Sequence, residues 1–180
     1  MTAIDPRPLT GEPVSLDLLN TRWNEEGVRQ DLLTGVEGLA VWLGSNGLGR
    51  RFPADAATLR HTLAARDALA ALVDRPGDPA ATAHVDAVLD HGRIRATLTG
   101  EGPGERVEFA DPARGPGWTA ARDYLDLLRT APDRIRACAH EACILHFFDT
   151  SRNGTRRWCS MAACGNRAKA SRHYARTKES

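Results

Sequence analysis

The chain has 180 residues, of which 42% are hydrophobic and 26% charged, and its formal net charge is +1. This composition is typical of a globular protein and excludes a disordered chain, and the length suits one moderate domain plus a small module. No apolar run reaches the roughly 18 residues of a membrane helix, and the N-terminus has no signal-like apolar segment. We therefore expect a cytoplasmic protein without membrane contact.

Charge is distributed unevenly along the chain. From Asp133 onward there are ten Lys or Arg against four Asp or Glu, whereas the preceding part has 14 basic and 19 acidic residues. An acidic body followed by a basic C-terminal part predicts a polyanionic partner for the C-terminal part alone.

Residues 11–23 predict a short amphipathic helix. Leu16, Leu19 and Trp23 share one face at helical spacing, and Ser15 is a suitable N-cap. Asn20 and Thr21 lie near the end of this helix. Helix capping is the favoured interpretation for both, since Asn and Thr bond readily to nearby backbone, and contact with a small ligand is the alternative.

Three more helices are predicted before residue 92. The first is capped by Thr34 and ends at Asn46-Gly47, the longest runs from Pro53 to about Val73, and Asp78 caps the third. The histidines of this part lack partner ligands at metal spacing, so we interpret them as surface or capping residues: His61, His84 and His91.

Residues 93–109 alternate apolar and polar side chains, which predicts half-buried strands in a hairpin. The loop Gly100 to Gly104 lacks the Lys-Ser/Thr ending of a phosphate loop, so it is interpreted as a turn. A helix from Trp118 to Thr130 follows, and Pro132 ends it. We place the domain boundary there.

All four cysteines lie in two matched pairs near the C-terminus. Four residues separate Cys138 from Cys143 and four separate Cys159 from Cys164, which is typical of a tetrahedral zinc site. Buried thiols, a redox pair or disulfides are the alternatives, and disulfides need an oxidising compartment that nothing in the sequence indicates. His140 or His146 replacing one cysteine also stays open.

The surrounding residues predict the rest of this module. Residues 135–137 form a strand, residues 151–154 a turn, and residues 155–158 the return strand, with Trp158 covering the zinc site. The segment after Cys164 has strong helix formers and no breaker. Two cysteine pairs around a hairpin, the second pair at a helix start, predict a treble-clef-like zinc module.

The run Arg157-Trp158-Cys159, then Cys164-Gly165-Asn166-Arg167 and Lys169, resembles the CGNR zinc-finger family of bacterial proteins. Members of this family are described as stress-induced transcription regulators and carry an N-terminal ABATE domain. The opening of that domain is similar to Gly11-x-Pro13 and Leu16-Asp17-x-Leu19-Asn20-Thr21. The resemblance implies bound zinc, DNA contact and a sensing domain.

The fold expected is mainly α with a small β-hairpin (α+β) over residues 1–132, plus the treble-clef-like zinc module over residues 133–180. Basic residues near the second cysteine pair are the candidates for DNA contact, because arginine and lysine bind phosphates and arginine reads guanine. They are Arg156, Arg157, Asn166, Arg167, Lys169, Arg172 and Arg176. A solvated charged face is the alternative interpretation.

Besides DNA binding, the same residues are compatible with a second class of function. A zinc-stabilised protein-interaction module would use the same scaffold without binding DNA. We expect no enzyme, because four thiolates leave zinc no open position and no hydrolase motif is present. A small-molecule effector of the N-terminal domain and a homodimer stay open.

Overall fold

The computed structural model describes residues 4–167 and 169. Its helices are α1 (Val14–Leu19), α2 (Val36–Ser45), α3 (Ala56–Asp74), α4 (Pro79–Leu89) and α5 (Gly115–Thr130). Its strands are β1 (Arg22–Glu25), β2 (Val28–Asp31), β3 (Gly92–Thr99), β4 (Gly102–Phe109), β5 (Ile135–Ala137) and β6 (His146–Phe148). The strands pair in sequence order as three antiparallel hairpins.

A helical core fills the part of the structure that precedes residue 132. The short helix α1 lies between α3 and α5, and its Leu16 and Leu18 are fully buried. Trp42 of α2 and Leu69 of α3 complete this core from the other side. Burial of these large side chains contributes about 1.5–3 kcal/mol each, so apolar packing dominates the stability of this region.

The expected helix over residues 11–23 is wrong beyond Leu19. Glu26 and Gly27 both have positive φ, 50° and 82°, the geometry of a two-residue hairpin turn, and β1 and β2 pair around them. Trp23 is therefore a strand residue. Ser15 is not the N-cap either, because Pro13 holds that position and the Ser15 hydroxyl donates to Asp123 at 2.6 Å.

The middle helices are confirmed with corrected ends. Thr34 does not cap α2, because it ends a 3₁₀ turn (Leu32–Thr34) and Gly35 precedes the helix. Pro53 does not open the longest helix. That helix begins at Ala56, where the side chain of Asp55 accepts from the Thr58 N–H at 2.8 Å. Asp78 is confirmed as the cap of α4.

The hairpin of β3 and β4 is confirmed, and its turn is only Gly100-Glu101, since Thr99 pairs with Gly102. The expectation of half-buried strands is wrong. Leu98 is 82% exposed and Ile94 43% exposed, so both faces of the hairpin meet solvent over much of its length. Alternation in the sequence predicted the strands, but it could not show whether another layer covers them.

Helix α5 begins three residues earlier than expected, at Gly115. A Cβ on Gly117 would lie 2.7 Å from the Cβ of Ala65, so this glycine lets α5 cross α3 at close range. Helix α5 also packs against α1 and α4. It is therefore the central support of the helical region.

The C-terminal part, called the cysteine module below (residues 133 onward), begins with β5 and β6. The return strand predicted over residues 155–158 is wrong, because β6 (His146–Phe148) pairs with β5 instead. The hairpin therefore encloses the first cysteine pair. A π-turn (Met161–Gly165) carries Cys164, Cys159 lies two residues before it, and residues 166, 167 and 169 are helical. The remainder of the predicted final helix lies outside the described residues.

The expected fold class, mainly α with small antiparallel strand pairs and a four-cysteine C-terminal module, is confirmed. Within residues 4–167 and 169, no helix combines the length and the apolar character that crossing a membrane would require.

Candidate metal centre and nucleic-acid interface

The first cysteine pair is positioned by the β5–β6 hairpin. The backbone N–H of Cys138 donates to the Leu145 carbonyl at 2.9 Å, which extends the strand pairing by one step. The Cys143 N–H donates to the His140 carbonyl at 2.8 Å and closes a tight turn. Both thiols consequently face the same side of a short rigid loop.

The second pair approaches from the opposite side. The Ala139 N–H donates to the Arg157 carbonyl at 2.9 Å and holds the incoming chain against the hairpin loop. Ser160 precedes the π-turn, and its hydroxyl accepts from the Ala163 N–H at 3.4 Å. Cys159 thus precedes a capped turn and Cys164 lies within it, so the second pair stands at the start of a helix, as predicted from the sequence.

The four sulfur atoms form one compact group in which all lie within 4.8 Å of one another. Sγ of Cys159 is 3.8 Å from Sγ of Cys143 and 3.6 Å from Sγ of Cys164. A zinc ion about 2.3 Å from each sulfur would place neighbouring sulfurs about 3.8 Å apart in a regular tetrahedron. The donor set therefore fits a four-thiolate metal site. Among the described residues no imidazole joins this group.

The thiols strongly influence one another's ionisation. The hydrogen bond with Cys159 lowers the pKa of Cys143 to about 5, and the same contact followed by burial raises the pKa of Cys159. Burial raises the pKa of Cys164 to about 12. One thiolate is thus favoured while its neighbours hold their protons. Four thiolates can coexist at this distance only with a cation at their centre.

An aromatic and aliphatic shell covers the cysteines. Leu145, Phe147 and Trp158 from the module pack against them, which places Trp158 beside the site as expected. Trp23 of β1 belongs to the same cluster and is 6% exposed. The helical region therefore supplies part of the wall of the candidate metal centre.

Asn20 joins the helical region to the cysteine module. Its Nδ2 donates to the His146 carbonyl at 2.8 Å, and its Oδ1 accepts from the His146 N–H at 2.9 Å. The side chain is fully buried. Asn20 is also the C-cap of α1, through its backbone, so the predicted cap is present. Its side-chain amide has a further role that was not predicted, as a link between the two regions.

Thr21 is also fully buried and belongs to an internal network. Its hydroxyl donates to the Leu18 carbonyl at 2.7 Å, so the predicted local cap is present, and it accepts from Nη1 of Arg66 at 2.8 Å. The Arg66 guanidinium also makes two bonds to Asp31, at 2.7 and 2.8 Å. Although burial raises the pKa of Asp31, the hydrogen bonds from Arg66 hold it below the ordinary value.

Glu12 and Asn24 add two more links. The Phe148 N–H donates to Oε2 of Glu12 at 2.8 Å, and Nδ2 of Asn24 donates to the Ala142 carbonyl at 3.0 Å. Phe148 itself packs against the helical core, whereas the preceding Phe147 packs against the cysteines. The strand β6 is thus shared between the two cores.

Arg156 is the predicted DNA contact that this geometry supports least. Its guanidinium lies over the Phe147 ring, 4.2 Å from the centroid, and donates to the carbonyls of Trp158 and Cys159. It also lies 3.5 Å from Glu12. These internal partners make Arg156 a support of the metal centre.

The other described candidates are exposed around the second cysteine pair: Arg157, Asn166, Arg167 and Lys169. The Arg157 guanidinium lies 5.2 Å from the centre of the Trp158 ring. Asn166 is the C-cap of the π-turn, and its side chain donates to the Ala162 carbonyl at 3.4 Å. Arg172 and Arg176 lie outside the described residues.

Two family models match the chain. CGNR zinc finger matches residues 134–177, and ABATE, described as "Putative stress-induced transcription regulator", matches residues 12–131, about two thirds of the length. The chain belongs to the ABATE family. The resemblance predicted from its motifs is confirmed. No curated protein matches this chain.

The opening motif of the ABATE region, Gly11 to Thr21, acquires a physical explanation from these contacts. Asp17 accepts from Nη1 of the buried Arg7 at 2.6 Å, Ser15 binds Asp123, and Asn20 binds the module. The sequence does not indicate these partners, because Asp123 and His146 lie 108 and 126 positions away and no local pattern relates Arg7 to Asp17. The signal available was the presence of polar residues among the leucines of an otherwise apolar segment.

Proposed function

We propose that this ABATE-family chain is a transcription regulator that binds DNA through the cysteine module, with a structural Zn²⁺ ion held by Cys138, Cys143, Cys159 and Cys164. The observation that carries the proposal is the four-sulfur group at tetrahedral spacing, beside an exposed basic segment. The family descriptions, zinc finger and transcription regulator, agree with this assignment.

Zinc has a structural role in this proposal. The ligand set is four sulfurs, which suits a zinc ion and leaves no coordination position for water or substrate. Catalytic zinc sites retain such a position, so we propose that the chain is not an enzyme. Zinc binding instead supplies folding free energy to a module whose own apolar core is small.

The DNA-binding surface would be the exposed side of the second cysteine pair. Arg157, Arg167 and Lys169 carry positive charge there, and Asn166 lies between them in sequence. Each phosphate that such residues neutralise releases condensed counterions, so the affinity should fall steeply as salt rises. Arg172 and Arg176 extend the same basic segment in the sequence.

The test is binding of the zinc-loaded full chain to fluorescent genomic DNA fragments at two salt concentrations. We expect the double variant R167A/K169A to bind about tenfold more weakly than wild type and to show a smaller salt dependence. The double variant R93A/R106A is the matched control, since it removes two exposed arginines from the β3–β4 hairpin.

Equal affinities for the two double variants, or binding that does not depend on salt, would contradict the DNA-contact assignment. Absence of DNA binding by a folded, zinc-loaded chain would instead favour the protein-interaction module. Regulation is proposed to pass through the contacts of Asn20, Trp23 and Glu12, because they join the ABATE region to the cysteine module.

A further inference from the structure

A second candidate site lies in the helical region, at a cavity of about 400 Å³ between α3, α4 and the start of α5. Its volume is within the range of about 300–1,000 Å³ that is usual for small-molecule sites. Three histidines meet around it, and Arg114 and Asp67 complete the polar lining: His61, Asp67, His84, His91 and Arg114.

Arg114 forms a hydrogen bond with one of these imidazoles. Its Nη1 lies 2.6 Å from Nε2 of His91. A guanidinium can only donate, so Nε2 is the acceptor in this contact, and Nδ1 remains available to donate to a ligand.

His61 also lines the cavity, and its surroundings lower its pKa. Burial lowers its pKa, and the charges of Arg114 and Arg60 lower it further, against the opposing effect of Asp111. Nε2 of His61 is 3.7 Å from the nearest Asp111 oxygen. A bound anion would add negative charge beside Arg114 and so reverse the balance that disfavours protonation of His61.

The acidic residues near this cavity already have partners. Asp67 pairs with Arg22 at 3.0 Å, and Asp111 accepts from the Ala113 N–H at 3.0 Å and lies 3.7 Å from Nε of Arg114. The remaining wall is apolar and comes from α3 and α4: Ala64, Ala68, Ala87 and Val88. One guanidinium, three imidazoles and the Asp67 carboxylate, which is paired with Arg22, thus line the cavity together with a small hydrocarbon surface.

The residues that line the cavity are not arranged as a metal site. Within residues 4–167 and 169, only the four cysteines bring three or more ligand atoms within 4.8 Å of one another. The three histidines are arranged around an open volume instead. That arrangement suits a ligand of several atoms with a charged end.

We propose that this cavity binds a small organic anion, whose charged group contacts Arg114 and the imidazoles while its apolar part lies on the alanines of α3 and α4. The shared chemistry is a carboxylate or phosphate group on a small hydrocarbon body. The proposal concerns the ABATE region alone and does not depend on DNA binding by the cysteine module.

Imidazole NMR on the full chain tests it directly, because the six histidines divide into two sets. The cavity holds His61, His84 and His91, while the others belong to the cysteine module: His140, His146 and His173. Benzoate and phenyl phosphate are the probes for the two anionic groups. Benzamide is the neutral analogue of benzoate, and sodium chloride at equal ionic strength controls for salt.

The expected result is a saturable shift of the cavity set with one or both anions, at least about tenfold weaker binding of benzamide, and a higher pKa of His61 in the bound state. The module set stays unchanged. R114Q should weaken binding about tenfold, since one charge-assisted hydrogen bond is lost.

A second variant separates loss of ligand contact from a purely structural effect of R114Q. Ala87 is an exposed residue of α4 that lines the cavity, so A87L fills the volume without disturbing a buried side chain. A83L, on the same helix but outside the lining, is its matched control. Binding should be lost in A87L and retained in A83L.

Three results would overturn the proposal: no saturable shift with either anion, equal affinity for benzamide and benzoate, or anion binding that neither R114Q nor A87L weakens. A response confined to phenyl phosphate identifies a phosphate site, and a response to both anions identifies a general anion site.

Discussion

The contact between the ABATE region and the cysteine module depends most on Asn20. One amide satisfies both backbone groups of His146, and it does so in a site closed to water. A buried amide that matches a strand backbone in this way selects one register of β6. It therefore fixes how the cysteine module meets the ABATE region.

We expect N20A to lower the free energy of unfolding by about 2–3 kcal/mol, because the His146 N–H and carbonyl would be left buried without partners. N24A is the matched control. It removes a single exposed bond to Ala142 and should cost less than about 1 kcal/mol. Urea unfolding of both variants measures the difference, and equal losses would contradict the assigned role of Asn20.

Glu12 lies at the same contact between the two regions, and its contribution to stability should depend on pH. Burial raises its pKa above the ordinary 4.5, against the opposing effects of the Phe148 N–H and Arg156. The folded state therefore holds the Glu12 proton more tightly than the unfolded state, and this residue's contribution to stability decreases as pH rises from 4.5 through the raised pKa.

Glu12→Gln keeps an acceptor for the Phe148 N–H but cannot ionise. Its free energy of unfolding, relative to wild type, should therefore rise with pH across that window. Denaturant unfolding at several pH values measures this difference, with E101Q at the exposed hairpin turn as the control for simple loss of charge. A difference that is constant with pH would contradict the interpretation.

At the scale of elements, the crossing of α3 and α5 depends on a missing side chain. Gly117 approaches Ala65 so closely that any Cβ would force the two helices apart. Helix propensity alone favours alanine over glycine by about 1 kcal/mol, so the steric and intrinsic effects oppose each other here.

We expect G117A to destabilise the protein by about 1–3 kcal/mol, because overpacking outweighs propensity. G44A in α2 is the matched control, since a Cβ there meets no atom within 4 Å, and it should stabilise by about 0.5–1 kcal/mol. Thermal or urea unfolding gives both values. A stabilising G117A would show that the helices separate without cost.

At the scale of the whole molecule, the cysteine module and the ABATE region share their packing. Phe148 and Ile135 of the module contact the helical core, and Trp23 of the ABATE region contacts the cysteines. An isolated module would expose Phe148 and Ile135 to water and would lack the Trp23 ring that packs against the cysteines. The two parts are therefore expected to unfold together.

Removing the metal should consequently destabilise the helices as well as the module. We expect a chelator to lower the melting temperature followed by far-UV circular dichroism, in one transition that coincides with zinc release. The variant C159A should already melt at the lower temperature and should not respond to the chelator. Helices that melt unchanged after zinc removal would show that the two cores are independent.

The sequence by itself determined most of the helices, the β3–β4 hairpin and the pairing of the four cysteines. Helical periodicity, the cap at Asp78 and the matched cysteine spacing are local properties, so each could be inferred from a few neighbouring residues. The hairpin turn at Glu26-Gly27 was missed because the apolar spacing of residues 16–23 also fits a helix, and only pairing with β2 decides between them.

The tertiary structure alone decided which distant groups meet. Asn20 lies 126 positions from His146, and His61 lies 30 positions from His91, so no periodicity relates them. Buried polar partners and cavity linings arise from how helices and hairpins pack, and that packing is non-local. Local patterns therefore identified the four thiols. The histidine cavity, and the contacts between the ABATE region and the cysteine module, became visible only in three dimensions.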